Sequence, residues 1–299
     1  MIVVFGSINV DLVATVERLP SAGETLRGRS FSMSPGGKGA NQALAARRAG
    51  ASVALYGAVG RDPFANSALA LLREDGVDLA NVQSVAAATG VALIHVDAKG
   101  ENAITVVAGA NGRATAAQVP DDALGASTTV VMQLETPLAE VEALTRRAHA
   151  SGARVVLNAA PAAPLSMDLL RHVHVLIVNE SEARTIAGAL GIATGANAFV
   201  AEYRRRLGTD VVVSLGSQGL VASSPTAPIA LAAPIVNVVD TVGAGDALVG
   251  ALAAALARNA SWIRALKEGL AAGSLACTRA GAQPSLPDQV AITTLVDTI

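Results

Sequence analysis

The sequence predicts an α/β protein with a central, mainly parallel sheet, helices on both of its faces, and a small β layer set into the body. Three observations carry this. Short β-branched runs alternate with longer alanine-rich segments of helical periodicity, the order expected of βαβ units. The runs lack in/out alternation, as strands covered by helices on both faces do. The helical segments are punctuated by a capping residue before proline at one end and glycine at the other.

Taken in order, Ile2–Phe5 reads as a buried first strand. The polar, turn-rich stretch from Asp11 to Ser34 then breaks the rhythm. Gly39–Ala49 follows as a helix stopped by Gly50, and Val53–Tyr56 as a strand. Asp62-Pro63 opens a helix that runs to Glu74 and stops at Gly76. Val91–Val96 and Asn102–Ala108 form a hairpin pattern around Asp97-Ala98-Lys99-Gly100. With the earlier polar stretch they predict an antiparallel lid at about residues 11–34 and 91–108. The α/β order resumes with a strand at Thr129–Gln133. Thr136-Pro137 predicts a capped helix from Pro137 to Ala150, ended by Gly152. Strands at Arg154–Leu157 and Val173–Val178 precede helices at Glu180–Leu190 and Ala196–Leu207, the second ended by Gly208. Asp210–Ser214 is the last strand of this series, before helices at Ala244–Arg258 and Ser261–Arg279. No flexible linker or repeat interrupts the pattern, so residues 1–299 read as one domain with a lid.

Composition narrows the function classes. Among 299 residues, 22 Lys+Arg against 24 Asp+Glu give a net charge of −2, which supplies no general attraction for nucleic acid or an anionic membrane. Aromatics at 2 % are too few for base-stacking platforms, and 52 % hydrophobic residues exclude a disordered chain. A single cysteine, Cys277, builds neither an internal disulfide nor a Cys-rich zinc site, so a cytoplasmic protein is the simplest expectation. The longest uncharged stretch, Val211 to Val239, is broken by Gly216, Gly219, Pro225, Pro228 and Pro234, and the apolar helical run Ala247–Ala257 is far too short to span a bilayer.

Three motifs carry chemistry. Asp240-Thr241-Val242-Gly243-Ala244-Gly245-Asp246 leads straight into a helix. Small residues there let backbone N–H groups converge at the helix N-terminus, an anion hole with Asp246 at its mouth. It is neither a Walker A loop, since no Gly-Lys-Ser/Thr follows, nor a dinucleotide fingerprint, since Leu248 stands where the third glycine would be. Pro35-Gly36-Gly37-Lys38-Gly39-Ala40-Asn41-Gln42 lets backbone approach a ligand closely and offers the Lys38 and Asn41 donors to hydroxyls. Gly6-Ser7-Ile8-Asn9-Val10-Asp11 lies at the carboxyl end of the first strand, where open α/β sheets bind ligands. Taken singly, each also has a plain reading as an ordinary turn or helix start.

Together, and in this order, these motifs resemble the ribokinase-like (pfkB) carbohydrate kinases, as do Met132–Pro137, Asn179-Glu180-Ser181-Glu182, Ser214–Gly219 and the tail Thr278–Ser285. The likeness covers essentially the whole chain. It implies a three-layer fold with a β lid, and ATP-dependent phosphorylation of D-ribose at O5. By that resemblance Asn9, Asp11, Gly36, Gly37, Lys38, Asn41, Glu135, Ala92 and Ile94 contact the sugar, while Leu93 and His95 face away. Asp246 is the base, with the amides of Gly243, Ala244 and Gly245 on the transferred phosphoryl group. Asn179 and Glu182 help place Mg²⁺ and phosphates, and Ser214, Leu215, Gly216, Ser217, Gln218, Gly219 and Gly245 border the nucleotide. A K⁺-like ion is implied at Asp240, Val242, Ala276, Arg279, Gly281 and Ser285, and a homodimer through the lid. Leu248, Leu270 and Gln218 depart from common family residues. The alternatives are a related kinase for deoxyribose, a keto-sugar or a nucleoside, and a non-catalytic sensor of sugar or nucleotide. Outside these motifs, Cys277 reads as a packed thiol. His149, His172 and His174 lack the ligands of a metal site. The Arg47-Arg48, Arg146-Arg147 and Arg204–Arg206 runs read as solvated helix faces.

Overall fold

The computed structural model describes residues 1–299. In chain order its elements are β1 Ile2–Phe5, β2 Asn9–Thr15, β3 Ser30–Gly36, α1 Lys38–Arg48, β4 Val53–Gly60, α2 Pro63–Glu74, β5 Val82–Val85, β6 Gly90–Val96 and β7 Asn102–Val107. There follow β8 Thr129–Met132, α3 Leu138–Ala150, β9 Arg154–Asn158, α4 Met167–Arg171, β10 Val175–Asn179, α5 Glu180–Leu190, α6 Ala196–Leu207 and β11 Asp210–Ser214. The chain ends with β12 Leu220–Ala222, β13 Ile229–Leu231, α7 Ala244–Ala257, α8 Trp262–Ala276, α9 Ala282–Ser285 and α10 Gln289–Val296.

A nine-stranded sheet has the order β13-β12-β11-β10-β9-β8-β1-β4-β5. It is parallel from β11 to β5; only β12 and β13 run antiparallel. Along β1 the side chains divide by the two-residue period of a strand. Ile2 and Val4 join a core of 43 buried residues that includes α1, α7 and α8, whereas Val3 and Phe5 join a second core of 33 that includes α3, α5 and α6. Two cores of comparable size explain why the strands carry no polar face.

The chain visits β4 on one side of β1 and later β8 on the other, so the strand order reverses at β1. That reversal opens a crevice at the carboxyl ends of the strands. The Gly6–Asp11 motif, the Gln133–Glu135 turn, Asn158, Asn179 and Ser214 all lie at such ends.

The lid corrects one expectation. Its strand order is β3-β2-β6-β7, with antiparallel β2–β3 and β6–β7 pairs but a parallel β2–β6 pair at its centre, so it is a mixed sheet. The physical reason is its assembly from two separate excursions of the chain. Both leave the body in the same direction, along β2 and β6, and each returns on its outer neighbour.

Other boundaries moved. Asp62 caps α2 through the N–H groups of Phe64 at 3.1 Å and Ala65 at 3.2 Å, as expected. Thr136 does not cap α3; Pro137 occupies the cap position with no side-chain hydrogen bond. β4 continues to Gly60, and β10 begins at Val175. The short β5, β12, β13, α4, α9 and α10 carried no separate sequence signal. His149, His172 and His174 pack together, with ring centroids 5.0 and 5.1 Å apart, and their Nδ1 atoms engage the backbone of His172, Asp168 and Val155.

One helix contact positions the site. α7 crosses α1 so closely that a Cβ on Gly250 would lie 2.5 Å from Ala45 Cβ and 2.7 Å from Gln42 O. Asp246 lies one turn before Gly250 on α7, and Gln42 one turn before Ala46 on α1. The i, i+4 spacing therefore brings Asp246 and Gln42 face to face.

Candidate active site

Asp246 is buried in the first turn of α7. Its Oδ2 accepts from Asn41 Nδ2 at 2.8 Å and its Oδ1 from Gln42 Nε2 at 2.9 Å. Burial pushes its carboxyl above the usual range, while Lys38 and the two amide donors pull it back. Asn41 Oδ1 is buried without a partner, a free acceptor beside the Asp246 carboxylate.

Gly243, the residue before α7, has φ 80°, a left-handed conformation natural only to glycine. That turn frees backbone donors. The N–H groups of Gly243, Gly245 and Asp246 make no hydrogen bond, whereas Ala244 N–H is turned back to Thr241 O at 3.3 Å. The open amides are thus Gly243 and Gly245 of the expected three, joined by Asp246. A Cβ on Gly245 would meet nothing within 4 Å, so the space above it is clear.

These amides face a chamber of about 160 Å³ that is also lined by Lys38, Asn158, Asn179, Glu182, Ser214 and Asp246. Asn179 and Glu182 form a reciprocal cap on α5. Glu182 N–H donates to Asn179 Oδ1 at 2.9 Å, and Asn179 N–H to Glu182 Oε2 at 2.7 Å. Glu182 Oε1 is left without a hydrogen bond, and burial raises this carboxyl. Burial alone would lower the Lys38 ammonium, but Asp246, Glu135, Glu182 and Asp11 outweigh it and raise it. One cation thus answers four carboxylates.

On the lid side, β2 carries Asn9 and Asp11 on one face. Their register with Gly90 and Ala92 on β6, and that of Val13 with Ile94, puts Ala92 and Ile94 on that face and Leu93 and His95 on the other. Asn9 Oδ1 accepts from Asn111 Nδ2 at 2.6 Å, and Ile8 N–H donates to Asn111 Oδ1 at 2.8 Å, which leaves the Asn9 amide donor free. Glu135 Oε2 takes Ser7 O–H at 2.5 Å and Lys38 N–H at 3.1 Å. Gly36 leaves room for Asp11, since a Cβ there would sit 2.4 Å from both carboxylate oxygens.

Beyond the amides lies a cavity of about 470 Å³. Ser214, Gly216, Ser217, Gly219, Ala244 and Gly245 line it, with Ile235, Val236, Val238, Leu248, Leu270 and Cys277. Leu215 packs against the second core instead, and the Gln218 side chain lies in solvent. Cys277 is a wall of this cavity and not a residue of the helix interior, because α8 ends at Ala276.

The expected cation ligands meet as two adjacent loops. Asp240 Oδ1 accepts from Val242 N–H at 3.0 Å and Oδ2 from Gly281 N–H at 2.8 Å. The carbonyl oxygens of Val242, Arg279 and Gly281 accept no hydrogen bond, while Ala276 O takes Arg279 N–H at 3.4 Å and Ser285 Oγ donates to Ala282 O at 2.9 Å.

Sequence reasoning missed Ser7, Gln42, Asn111, Gln133 and Asn158. Ser7 and Gln42 stood inside quoted motifs, but nothing in one sequence says that they meet Glu135 and Asp246. Asn111 carried no signal.

A polar cleft under a lid, an anion hole with a carboxylate at its mouth, and an apolar cavity behind it define a phosphotransferase for a hydroxylated small molecule. The profile of the pfkB family carbohydrate kinases matches residues 1–289. The chain is 38 % identical over 302 residues to ribokinase of Schizosaccharomyces pombe, covering 96 % of this chain and 94 % of that one. It is 35 % identical over 288 residues to ribokinase of Haemophilus influenzae, covering 95 % and 94 %. The structure of Arabidopsis thaliana ribokinase complexed with ribose and ATP superposes with a TM-score of 0.88 at 31 % identity, covering 99 % and 98 %. The chain belongs to the pfkB family of carbohydrate kinases.

The Asp11 carboxyl is pushed up to about 6 by burial and by Glu135 and Asp246, with Lys38 opposing. A raised carboxylate pKa means that the folded chain holds this proton more tightly than the unfolded chain. Ionised Asp11 therefore costs stability, in full above pH 6 and progressively less as pH falls toward 4. Asp11→Asn should raise Tm at pH 7.5 by about 2–4 °C, with a smaller gain at pH 4.5. Thermal melts at the two pH values check this; a lower Tm at pH 7.5 contradicts it.

Proposed function

We propose that the protein transfers the terminal phosphoryl group of ATP to the O5 hydroxyl of D-ribose, giving D-ribose 5-phosphate and ADP. The observation that carries the chemistry is Asp246, buried, held through both oxygens, and opening into the same chamber as the free Gly243 and Gly245 amides. The choice of ribose rests on the curated relatives named ribokinase at 35–38 % identity and on the likeness to a ribose- and ATP-bound structure.

In this reading the sugar lies between lid and body. Asn9, Asp11, Lys38, Asn41 and Glu135 pair its hydroxyls, with Gly36 and Gly37 at the close approach and Ala92 and Ile94 above. Such a site rejects analogues that leave its buried polar groups unpaired. Asp246 takes the proton from O5 as that oxygen attacks the γ-phosphorus. The bond from the γ-phosphorus to the bridging oxygen breaks, and ADP leaves. Charge on the moving phosphoryl group meets the amides of Gly243 and Gly245 and the Lys38 ammonium, donors already in place before the reaction. Ser214, Gly216, Ser217 and Gly219 border the nucleotide.

The ion-binding residues fit the groups that the family implies. Glu182, with one oxygen unengaged at the chamber wall, would help hold a hydrated Mg²⁺ ion, which would neutralise phosphate charge there. Asp240, with the free carbonyls of Val242, Arg279 and Gly281, suits a hard monovalent cation such as K⁺. By tying the Val242–Gly243 turn to the Gly281 loop, Asp240 keeps the anion hole in shape.

The lid leaves Phe31 69 %, Ile104 54 % and Val106 53 % exposed, and all of β7, an edge strand, is open to solvent. Such an edge is normally covered. A second copy of the chain seated on the lid covers it, and light scattering should return a dimer mass; a monomer at assay concentration refutes this. No helix is long and apolar enough to cross a membrane. Dependence on ATP supports the reading of a cytoplasmic enzyme.

ADP release across a panel of ribose, deoxyribose, fructose and adenosine should show the highest kcat/KM for ribose. Asp246→Asn should lower kcat about 10²- to 10⁴-fold. Turnover of another acceptor without ribose overturns the substrate, and an unimpaired Asp246→Asn overturns the base. Rates should rise when choline in the buffer is replaced by K⁺, and Asp240→Ala should abolish that rise. Equal rates in both buffers remove the cation site.

A further inference from the structure

We infer that Gln42 is a positioning residue for the base, and that with Gln133 and Asn158 it forms a buried amide chain that fixes where the Asp246 carboxylate points. The inference rests on Asp246 as the base. Gln42 itself touches no substrate: every polar atom of its amide is engaged within the protein. Nε2 donates to Asp246 Oδ1 at 2.9 Å and to Asn158 Oδ1 at 3.0 Å, and Oε1 accepts from Gln133 Nε2 at 2.6 Å. Gln42 and Gln133 are 0 % exposed and Asn158 is 8 % exposed, so the Gln42–Gln133 link is closed to solvent.

The polarity of the chain follows from chemistry. Asn158 Nδ2 donates to the backbone carbonyl of Ile177 at 3.1 Å, and a carbonyl can only accept. Asn158 must therefore turn its oxygen to Gln42. Gln42 must then turn its nitrogen to Asn158, and hence to Asp246, and its oxygen to Gln133. A backbone atom of β10 in this way dictates that the base receives a donor. Flipping any one amide would set two oxygens or two nitrogens against each other among buried side chains.

Asn41 contrasts with this. It holds the other oxygen of Asp246, but its own Oδ1 is buried and unpartnered, so it retains a group for the substrate. Two adjacent residues of α1 thus divide the labour: Asn41 faces the acceptor, and Gln42 holds the base from behind. Each Asp246 oxygen carries one N–H, which leaves a second lone pair to receive the proton and restrains the plane of the carboxylate. The same N–H groups oppose the effect of burial on this carboxyl.

The test uses Gln42→Met, which keeps the side-chain volume and removes both donor and acceptor, together with Gln133→Met and Asp246→Asn. Steady-state kinetics across pH are measured on each folded protein. Gln42→Met should lower kcat about 10- to 100-fold, as misplacing a catalytic group does, with KM for both substrates within about threefold. It should also move the acidic limb of the kcat profile upward by at least about half a pH unit. Gln133→Met, one link removed, should shift the same two readouts in the same direction by less. In the Asp246→Asn background, Gln42→Met should lower the residual rate no further. A Gln42→Met enzyme with an unmoved acidic limb, whether or not kcat falls, shows a packing residue and overturns the inference. Should Gln42→Met not fold, Gln133→Met decides by the same criterion. If Asp246→Asn keeps its activity, the base itself is misassigned, a failure separable from that of Gln42.

Discussion

Everything in the cleft depends on holding a carboxylate out of water at the crossing of two helices. Asp246 sits where α7 meets α1, and the crossing is as close as it is because Gly250 has no side chain to intrude on Ala45 and Ala46. An isolated buried carboxylate would simply take up a proton. Here the same close contact that removes solvent also supplies Asn41 and Gln42 as donors. The helix N-terminus and Lys38 add positive potential on the open side. Burial and its compensation have one origin, the packing of small residues between the helices.

The charge balance of the cleft follows. Asp11, Glu135, Glu182 and Asp246 all raise the Lys38 ammonium, and Asp11 is itself driven up by Glu135 and Asp246. Such a constellation works against folding and for ligand binding, since hydroxyl donors and cations offset the mutual repulsion of the carboxylates. The buried, unpartnered Asn41 Oδ1 belongs to the same pattern.

Placement on the scaffold explains how such distant residues converge. The reversal of strand order at β1 opens the crevice. The first excursion into the lid returns along β3 directly into α1, so the Gly36–Gln42 segment serves both layers. Lid face, sheet edge and helix start are therefore covalently close, and the small sheet is tied through the chain to the residues around Asp246.

The sequence by itself determined the α/β class, six strands of the main sheet, seven helices to within a few residues, and the motifs of the cleft. Each of these is written in local signals: unbroken β-branched runs, Asp62 before Pro63, glycines past helix ends, a small-residue turn before α7. Only the tertiary structure decided that the lid is mixed and not antiparallel, that Leu215 and Gln218 turn away from the apolar cavity beyond the amides while Cys277 lines it, and that Gln42, Gln133 and Asn158 stand behind Asp246. The reason is distance along the chain. Gln42 and Asp246 are 204 positions apart and Ser7 and Glu135 are 128 apart, and no local pattern encodes a hydrogen bond between them. Such partners are chosen by how closely the helices pack and by which amide orientation a backbone carbonyl permits.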